Sequence, residues 1–201
     1  MIKFLVALFA LLMMGQGCPP KKLVLVGDST TACDKYFDPA ISAQEELGPG
    51  WVVVNEAIPS TSSYSWREEI AQIVKDRHGA AHYFVILGIN DWFLEEWEIV
   101  VPWGTTEANE ALDQIGVILG PNTWIAEPTP VDRSVEVSWP IPGKPDITIH
   151  DYADWWDELT PTRQWATSFP PFSKYDGLHH DNEGCEALGS AIGQFVKNSS
   201  S

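Results

Sequence analysis

The stretch Lys22–Cys33, KLVLVGDSTTAC, decides the fold of this chain. It opens with the apolar run Leu23–Val26, which favours a strand buried on both faces of a parallel sheet. Gly27 permits a sharp turn, and the Asp-Ser-Thr sequence that follows contains residue types that begin helices. Open α/β sheets bind ligands where a central strand ends and a helix begins. Ser29 therefore lies at a ligand-binding position, unless it only caps the helix.

The rest of the chain alternates strands with helices. Further strands are predicted at 51–55, 82–88, 122–126 and, weakly, 146–150. Helices are predicted at 38–47, 65–78, 105–119, 152–159 and 182–197, with Ser65 and Glu68 as a capping box for the second. Loops are predicted at 89–92, 160–175 and 128–145, with a hairpin at 135–139 in the last, and 94–101 is ambiguous. This alternation predicts a single α/β domain, with a parallel sheet covered by helices on both faces.

Composition limits the classes of partner. The chain has 201 residues, enough for one domain with a proper core. Its 28 acidic and 12 basic side chains give a formal charge of −16. This charge argues against nucleic acid and anionic membrane surfaces as partners, because both need a basic face. The ten tryptophans are many for this length, and composition leaves open whether they fill the core or line a sugar-binding cleft.

Residues 1–18 are predicted to be an export signal, and residues 19–201 the domain. A positively charged start precedes the apolar run Phe4–Met14, which is too short to span a bilayer. Cleavage is expected near Gly17, and Cys18 is either part of a leader or a lipidated N-terminal cysteine. We therefore expect a secreted or periplasmic protein that is membrane-bound only if Cys18 carries a lipid.

Export makes the cysteines informative, because disulfides form in oxidising compartments. The chain has three cysteines, an odd number. If Cys18 is set aside, Cys33 and Cys185 remain, four residues after Ser29 and six after His179. We predict a disulfide between them that joins the first helix to the last.

Polar residues cluster where the predicted strands end. Ser29 follows the first strand, the Asn55–Ser60 loop follows the second, and Asn90 follows the third. Parallel strands bring all three to one edge of the sheet. The segment Asp176–His179 precedes the last helix. Acyl transfer needs such a set: a serine nucleophile, a histidine base, a carboxylate that orients the base, and donors for the oxyanion.

Taken in order, these blocks resemble those of a known family. The sequences GDST at 27–30, N-x-x-x-x-S at 55–60, G-x-N-D at 88–91 and D-x-x-H at 176–179 are similar to the four blocks of the SGNH hydrolases, or GDSL-type esterases. The segment NEAIPSTSSYS at 55–65 is most similar to rhamnogalacturonan acetylesterase-like members, which deacetylate carbohydrate. The resemblance implies a flavodoxin-like, three-layer α/β/α sandwich with a five-stranded parallel sheet.

The resemblance also implies a role for each residue. Ser29 would be the nucleophile, His179 the general base, and Asp176 the carboxylate that orients it. The Ser29 N–H, Ser60 and Asn90 would form the oxyanion hole. Neither a metal nor an organic cofactor is implied.

Two departures from the family pattern stand out. Ser60 occupies the place of an oxyanion-hole glycine, and the proline-containing segment 128–145 stands where relatives carry a helix. A serine N–H still donates if its backbone angles permit. The D-x-x-H spacing favours His179 as the base, so we expect the neighbouring His180 at the rim of the site.

The sequence therefore predicts an exported serine esterase acting on a small-molecule or polysaccharide ester, with an acetyl or short acyl ester on a carbohydrate favoured. A lipid or thioester hydrolase and an acyltransferase stay open as alternatives, because they would use the same residues. A non-catalytic carbohydrate-binding protein on the same fold also stays open, because of Ser60 and the altered segment 128–145.

Overall fold

A parallel sheet lies at the centre of the structure. The computed structural model describes residues 19–96, 104–126, 130–132, 134–135, 138–139, 147–148, 169–170 and 172–200. Within them, four parallel strands form one sheet in the order β2-β1-β3-β4. These strands are β1 Lys21–Gly27, β2 Trp51–Asn55, β3 His82–Ile86 and β4 Thr123–Ala126. The predicted α/β fold is confirmed, with four strands described in the parallel sheet rather than five.

Helices cover both faces of this sheet and make it the middle of three layers. They are α1 Ser29–Ala32, α2 Pro39–Leu47, α3, α4 Asp91–Glu96, α5 Thr105–Leu119 and α6 Asn182–Ser199. Helix α3 begins as Ser63–Ser65, passes through a π-helical turn at Trp66–Ile70 and continues as Ala71–His78. Its N-cap is Ser62, three residues earlier than the predicted Ser65.

The central strand β1 contributes side chains to two separate hydrophobic clusters. Val24 and Val26 pack with residues of α3 and α5, whereas Leu23 and Leu25 pack with residues of α2 and α6. All four of these side chains are fully buried. Burying each one stabilises the fold by roughly 1.5–3 kcal/mol. The apolar run before Ser29 is thus held rigidly, and the end of β1 is a fixed point for the site.

Helices α2 and α6 pack closely because α6 has a glycine at the contact. A Cβ at Gly189 would lie 2.1 Å from the carbonyl oxygen of Pro39, so no larger residue fits there. One turn earlier, the Ser42 hydroxyl donates a hydrogen bond to the carbonyl of Glu186 at 2.9 Å. This contact holds the beginning of α6, and the residues just before it, against the first part of the chain.

Several local predictions are corrected by the structure. Ile147–Thr148 does not extend the parallel sheet but pairs antiparallel with Ser138–Trp139, in strands that we name β6 and β5. The sequence ITIH at 147–150 alternates apolar and polar residues, which is typical of an antiparallel ribbon. The hairpin is therefore wider than the predicted 135–139. Helix α4 begins at Asp91, inside the predicted loop 89–92.

Some predictions fall outside the described residues. The export signal at 1–18, the helix at 152–159 and most of the loop at 160–175 are among them. Across the described part of the chain, no helix has both the length and the apolar character needed to cross a bilayer.

Candidate active site

Three loops meet where the strands of the sheet end. Gly27 at the end of β1 pairs in register with Ile86 at the end of β3. On the other side, the N–H of Ile58, beyond the end of β2, donates to the Gly27 carbonyl at 2.9 Å. The residues that follow these strands therefore share one edge, as the topology predicts.

Gly27 is needed for space rather than for a turn. Its backbone is not in the left-handed region. A Cβ there would lie 2.4 Å from the Thr31 side chain and 2.8 Å from the Ile86 carbonyl oxygen. The absence of a side chain lets α1 start directly against β3, which brings Ser29 to the surface of the sheet edge.

Helix α1 is anchored by Asp28, which caps it. One carboxylate oxygen of Asp28 accepts hydrogen bonds from the N–H and the hydroxyl of Thr30, at 2.9 and 2.8 Å. Asp28 is completely buried, and its other oxygen has no hydrogen-bond partner among the described residues. Burial raises the pKa of Asp28 to about 6, with a further upward contribution from the charge of Asp91, although the Thr30 hydrogen bonds oppose both. Asp28, rather than Ser29, supplies the helix cap, so the capping role does not account for Ser29.

Ser29, His179 and Asp176 form a continuous chain of hydrogen bonds. The Ser29 hydroxyl lies 3.0 Å from Nε2 of His179. Nδ1 of the same ring lies 2.8 Å from Oδ2 of Asp176. Because a carboxylate can only accept, Nδ1 carries the proton and Nε2 is left to accept from the serine. The sequence separation of 150 residues between Ser29 and His179 is closed by the fold.

The loop that carries the histidine is ordered by Asp176 itself. Oδ1 of Asp176 accepts from the backbone N–H groups of Leu178 and His179, at 3.0 and 2.6 Å. Partial burial acts to raise the pKa of Asp176. Hydrogen bonds from His179 and Leu178 lower this pKa by more than burial raises it, so the pKa lies below its usual value. Asp176 is therefore ionised at neutral pH and able to hold the imidazole in one tautomer.

His180 does not lie at the rim, contrary to the prediction. Its side chain is only 2% exposed. Nδ1 lies 3.0 Å from the Thr30 carbonyl and donates to it. Burial lowers the pKa of His180 to about 3, with help from the positive charge of Lys174. A neutral, buried His180 fastens the histidine loop to α1, whereas His179 faces the serine.

Lys174 and Asp132 also hold the loop that carries the histidine. The Lys174 ammonium donates to the carbonyl of Leu178 at 2.9 Å, and the Asp132 N–H donates to the carbonyl of Gly177 at 2.8 Å. Burial lowers the pKa of Lys174 to about 8, although Asp176 and Asp132 favour its charged form. Residue 132 belongs to the segment 128–145, so that segment contributes a hydrogen bond to the loop that carries the histidine.

Besides Ser29, the residues predicted for the oxyanion hole are Ser60 and Asn90, and they lie on the other two loops. Ser60 has a φ of +64°, a left-handed conformation that favours glycine. Asn90 donates from Nδ2 to the Thr61 carbonyl at 2.8 Å, which ties the loop after β3 to the loop after β2. A side-chain amide has two N–H donors, so this bond leaves one for an oxyanion. Ser60 therefore has a backbone conformation typical of glycine, although it carries a side chain.

Changing Ser60 to glycine is expected to stabilise the protein. A left-handed residue with a side chain costs about 1–2 kcal/mol, and glycine avoids most of that cost. The free energy of unfolding, measured by urea denaturation, should therefore rise by about 1 kcal/mol. The N–H of residue 60 stays in place in this variant. A lower stability for Ser60→Gly would contradict the strained backbone that the structure places there.

Two further residues were not assigned a role from the sequence. Asp91 is fully buried and accepts hydrogen bonds from the N–H and hydroxyl of Ser63, at 2.9 and 2.6 Å. Asn55 donates from Nδ2 to the carbonyl of Thr31 at 3.2 Å and to Oδ1 of Asp38 at 3.1 Å. Both belong to the quoted sequence blocks, and their hydrogen bonds show that they join neighbouring segments of the site.

A disulfide links the two halves of the site, as predicted. Cys33, at the end of α1, is bonded to Cys185 in α6, with a Cα–Cα distance of 6.2 Å. The carbonyl of Cys33 accepts from the N–H of Tyr36 at 2.9 Å, and Asn182 in α6 accepts from the N–H of Phe37 at 3.0 Å. The short loop after α1 is thus fastened to the start of α6.

This loop forms one wall of a cleft beside the serine. Among the described residues, the cleft is lined by Ser29, Cys33, Asp34, Lys35, Tyr36, Tyr175, His179 and His180. Its lining contains both tyrosines and charged groups, and no aliphatic side chain. An ester bound there would meet the serine and histidine at one end.

Comparison with solved structures identifies the fold. A carbohydrate acetylesterase from Sinorhizobium meliloti is 15% identical over 89% of this chain and 99% of its own, with a TM-score of 0.55. A lipase/acylhydrolase from Enterococcus faecalis is 18% identical over 89% and 96%, with a TM-score of 0.56. The chain has the fold of these hydrolases. The native aryl esterase of M. smegmatis shares it, at 14% identity over 89% and 99% with a TM-score of 0.58. Comparison with protein-family models and with curated protein sequences gave no match.

Proposed function

We propose that the chain is an exported serine esterase of the SGNH type that removes an acetyl or other short acyl group from a carbohydrate. The observation that carries this proposal is the hydrogen-bonded chain from the Ser29 hydroxyl through His179 to Asp176. Such a chain activates a hydroxyl that is a poor nucleophile by itself. The solved structures that share the fold include an acetylesterase acting on carbohydrate and an aryl esterase, which supports ester hydrolysis. The sequence blocks favour the rhamnogalacturonan acetylesterase-like group within this type.

In the first half of the reaction, the Ser29 oxygen attacks the ester carbonyl carbon. The serine proton passes to Nε2 of His179, and the carbonyl electron pair moves onto the oxygen. Asp176 stabilises the imidazolium that results, because its carboxylate accepts from Nδ1. The N–H groups of Ser29 and Ser60 and the amide of Asn90 are the donors proposed for the oxyanion.

The acyl group then loses its alcohol and is afterwards transferred to water. The tetrahedral intermediate breaks its bond to the alcohol oxygen, and the proton on His179 goes to that leaving oxygen. A water molecule then attacks the acyl-serine carbonyl and gives a proton to His179, and the acid is released as Ser29 recovers its proton. Side chains and water supply every proton and electron pair, so the proposed reaction requires no metal and no organic cofactor.

The proposed location is outside the cytoplasm, with residues 1–18 removed as an export signal and 19–201 as the mature domain. The disulfide between Cys33 and Cys185 is compatible with an oxidising compartment. Lipid attachment at Cys18 is the proposed route by which the protein would be held at a membrane.

Covalent labelling tests whether Ser29 is activated, whatever the natural ester. A fluorophosphonate probe should label the purified mature protein, and digestion with mass spectrometry should place the adduct on Ser29. The Ser29→Ala variant should take up no label, whereas Ser190→Ala, which removes a serine from α6, should label as the wild type does. Acetate release from an acetylated oligosaccharide should accompany labelling.

Failure to label the wild type would contradict the esterase proposal. The non-catalytic carbohydrate-binding alternative would then be favoured, with Ser60 in the oxyanion loop as the first residue to change. Labelling with transfer of the acyl group to an alcohol rather than to water would favour the acyltransferase. Labelling together with preferred hydrolysis of long-chain esters or of thioesters would favour a lipid hydrolase or a thioester hydrolase.

A further inference from the structure

Two exposed tyrosines stand beside the nucleophile. Tyr36 is 40% exposed and Tyr175 is 48% exposed, and both line the cleft that contains Ser29. Their ring centroids are 5.4 Å apart, with the ring planes inclined by 50°. Large apolar rings are left open to solvent here although burying them would be favourable, so this surface is available to a ligand.

The tyrosines lie on the side where the alcohol must leave. Tyr175 is stacked on the ring of His179, with centroids 5.9 Å apart and planes inclined by only 17°. In the proposed reaction, His179 gives its proton to the leaving alcohol oxygen, so that oxygen must sit within hydrogen-bond reach of Nε2. A group recognised by the tyrosines therefore belongs to the alcohol part of the ester rather than to its acyl part.

The chemistry of the lining selects a sugar ring for this position. Tyrosine faces pack well against the apolar C–H face of a pyranose, while their hydroxyls remain polar. Asp34 and Lys35 in the same lining supply a carboxylate and an ammonium for sugar hydroxyl groups. A long acyl or alkyl chain would instead need aliphatic contacts, and the described lining has none.

The backbone at both tyrosines is also held in place. The N–H of Tyr36 donates to the Cys33 carbonyl at 2.9 Å, next to the disulfide. The N–H of Tyr175 donates to the carbonyl of His179 at 3.1 Å, within the catalytic loop. Side chains on a fixed backbone lose less conformational entropy when a ligand binds than side chains on a mobile loop.

We propose that Tyr36 and Tyr175 form a stacking platform for the sugar ring that carries the acyl ester. This inference rests on the proposed esterase function, because the side of the ester that it assigns follows from the role of His179. It assigns the platform to the alcohol part of the ester.

Two substrates distinguish an effect on recognition of the sugar ring from an effect on the catalytic step. A monoacetylated methyl pyranoside contains a ring in its alcohol part, and ethyl acetate contains none. Tyr36→Ala should lower the ratio of kcat/KM for the pyranoside to kcat/KM for ethyl acetate by about tenfold, chiefly through KM. Tyr36→Phe should keep the ratio, since the ring face remains. Ile41→Ala removes a similarly exposed side chain outside the cleft and serves as the matched control.

A second measurement does not depend on turnover. In the Ser29→Ala background, Kd for the same pyranoside should rise about tenfold on Tyr36→Ala, as followed by NMR titration. An unchanged Kd, or an equal loss of kcat/KM with both esters, would overturn the platform even if labelling of Ser29 succeeds. If Ser29 does not label but Tyr36-dependent binding remains, the esterase proposal fails and the tyrosines bind a sugar without placing an ester at Ser29.

Discussion

Replacing His179 by alanine is expected to lower kcat/KM for a short acyl ester by about 10⁴- to 10⁶-fold. Its Nε2 lies 3.0 Å from the Ser29 oxygen and is placed to take the serine proton. Without it, the hydroxyl stays protonated and the leaving alcohol receives no proton. Acetate release by the purified variant, under conditions where the wild-type rate is well above background, measures the loss. An intact fold should be checked by circular dichroism.

The neighbouring His180 provides the decisive control. His180→Asn keeps an N–H donor near the position of Nδ1, which donates to Thr30 in the wild type. We expect this variant to retain activity of the wild-type order and to unfold more readily, because it replaces a buried ring. If His180→Asn abolished turnover while His179→Ala retained it, the assignment of the base would be wrong.

The prediction that His180 lies at the rim of the site was wrong, although the spacing of the motif was informative. The D-x-x-H spacing indicates which histidine reaches Asp176, but it does not state where the next side chain goes. Residues 174 and 180 pair as a short antiparallel bridge, so the backbone is extended as it enters α6. Adjacent side chains point to opposite sides of extended backbone. With His179 facing the serine, His180 therefore faces inward.

The main features of the fold were predictable for a simple physical reason. Leu23–Val26 is apolar at every position, and a strand with helices on both faces buries every side chain of such a run. Once that strand is central, Ser29, the Asn55–Ser60 loop and Asn90 must meet at one edge, because parallel strands end together. The disulfide was predictable from the cysteine number together with the predicted export signal.

Other features depend on contacts that no local pattern records. Nothing in the sequence around Ser60 indicates its φ of +64°, apart from the glycine that the family resemblance implies at this position. The burial of Asp91 depends on where α3 begins, and the bond from Lys174 to Leu178 depends on how the loop 174–180 closes. The pairing of β5 with β6 joins two-residue strands, which are too short to produce a reliable period.

Removing the disulfide is expected to lower the free energy of unfolding by about 4 kcal/mol. Cys33 and Cys185 are separated by 152 residues, so the bond closes a very long loop in the unfolded chain. Loops of that length give the largest entropic stabilisation, roughly 3–5 kcal/mol, against a total stability of about 5–15 kcal/mol for a typical domain. Urea unfolding of the Cys33→Ala/Cys185→Ala variant should show a lower midpoint, and a steeper dependence on urea since the unfolded state exposes more surface.

A reducing agent provides the internal control for this measurement. Dithiothreitol should lower the stability of the wild type and leave that of the double variant unchanged. Denatured, unreduced full-length chain should show one free thiol of its three cysteines, and three free thiols would contradict the disulfide.

Activity should fall with stability, because the bond spans the candidate site. It begins four residues after Ser29 and ends six residues after His179, and it holds the loop that carries Tyr36. Loss of the bond should therefore raise KM for the acetylated pyranoside more than for ethyl acetate, because the platform loosens while the pairing of Asp176 with His179 remains within its own loop.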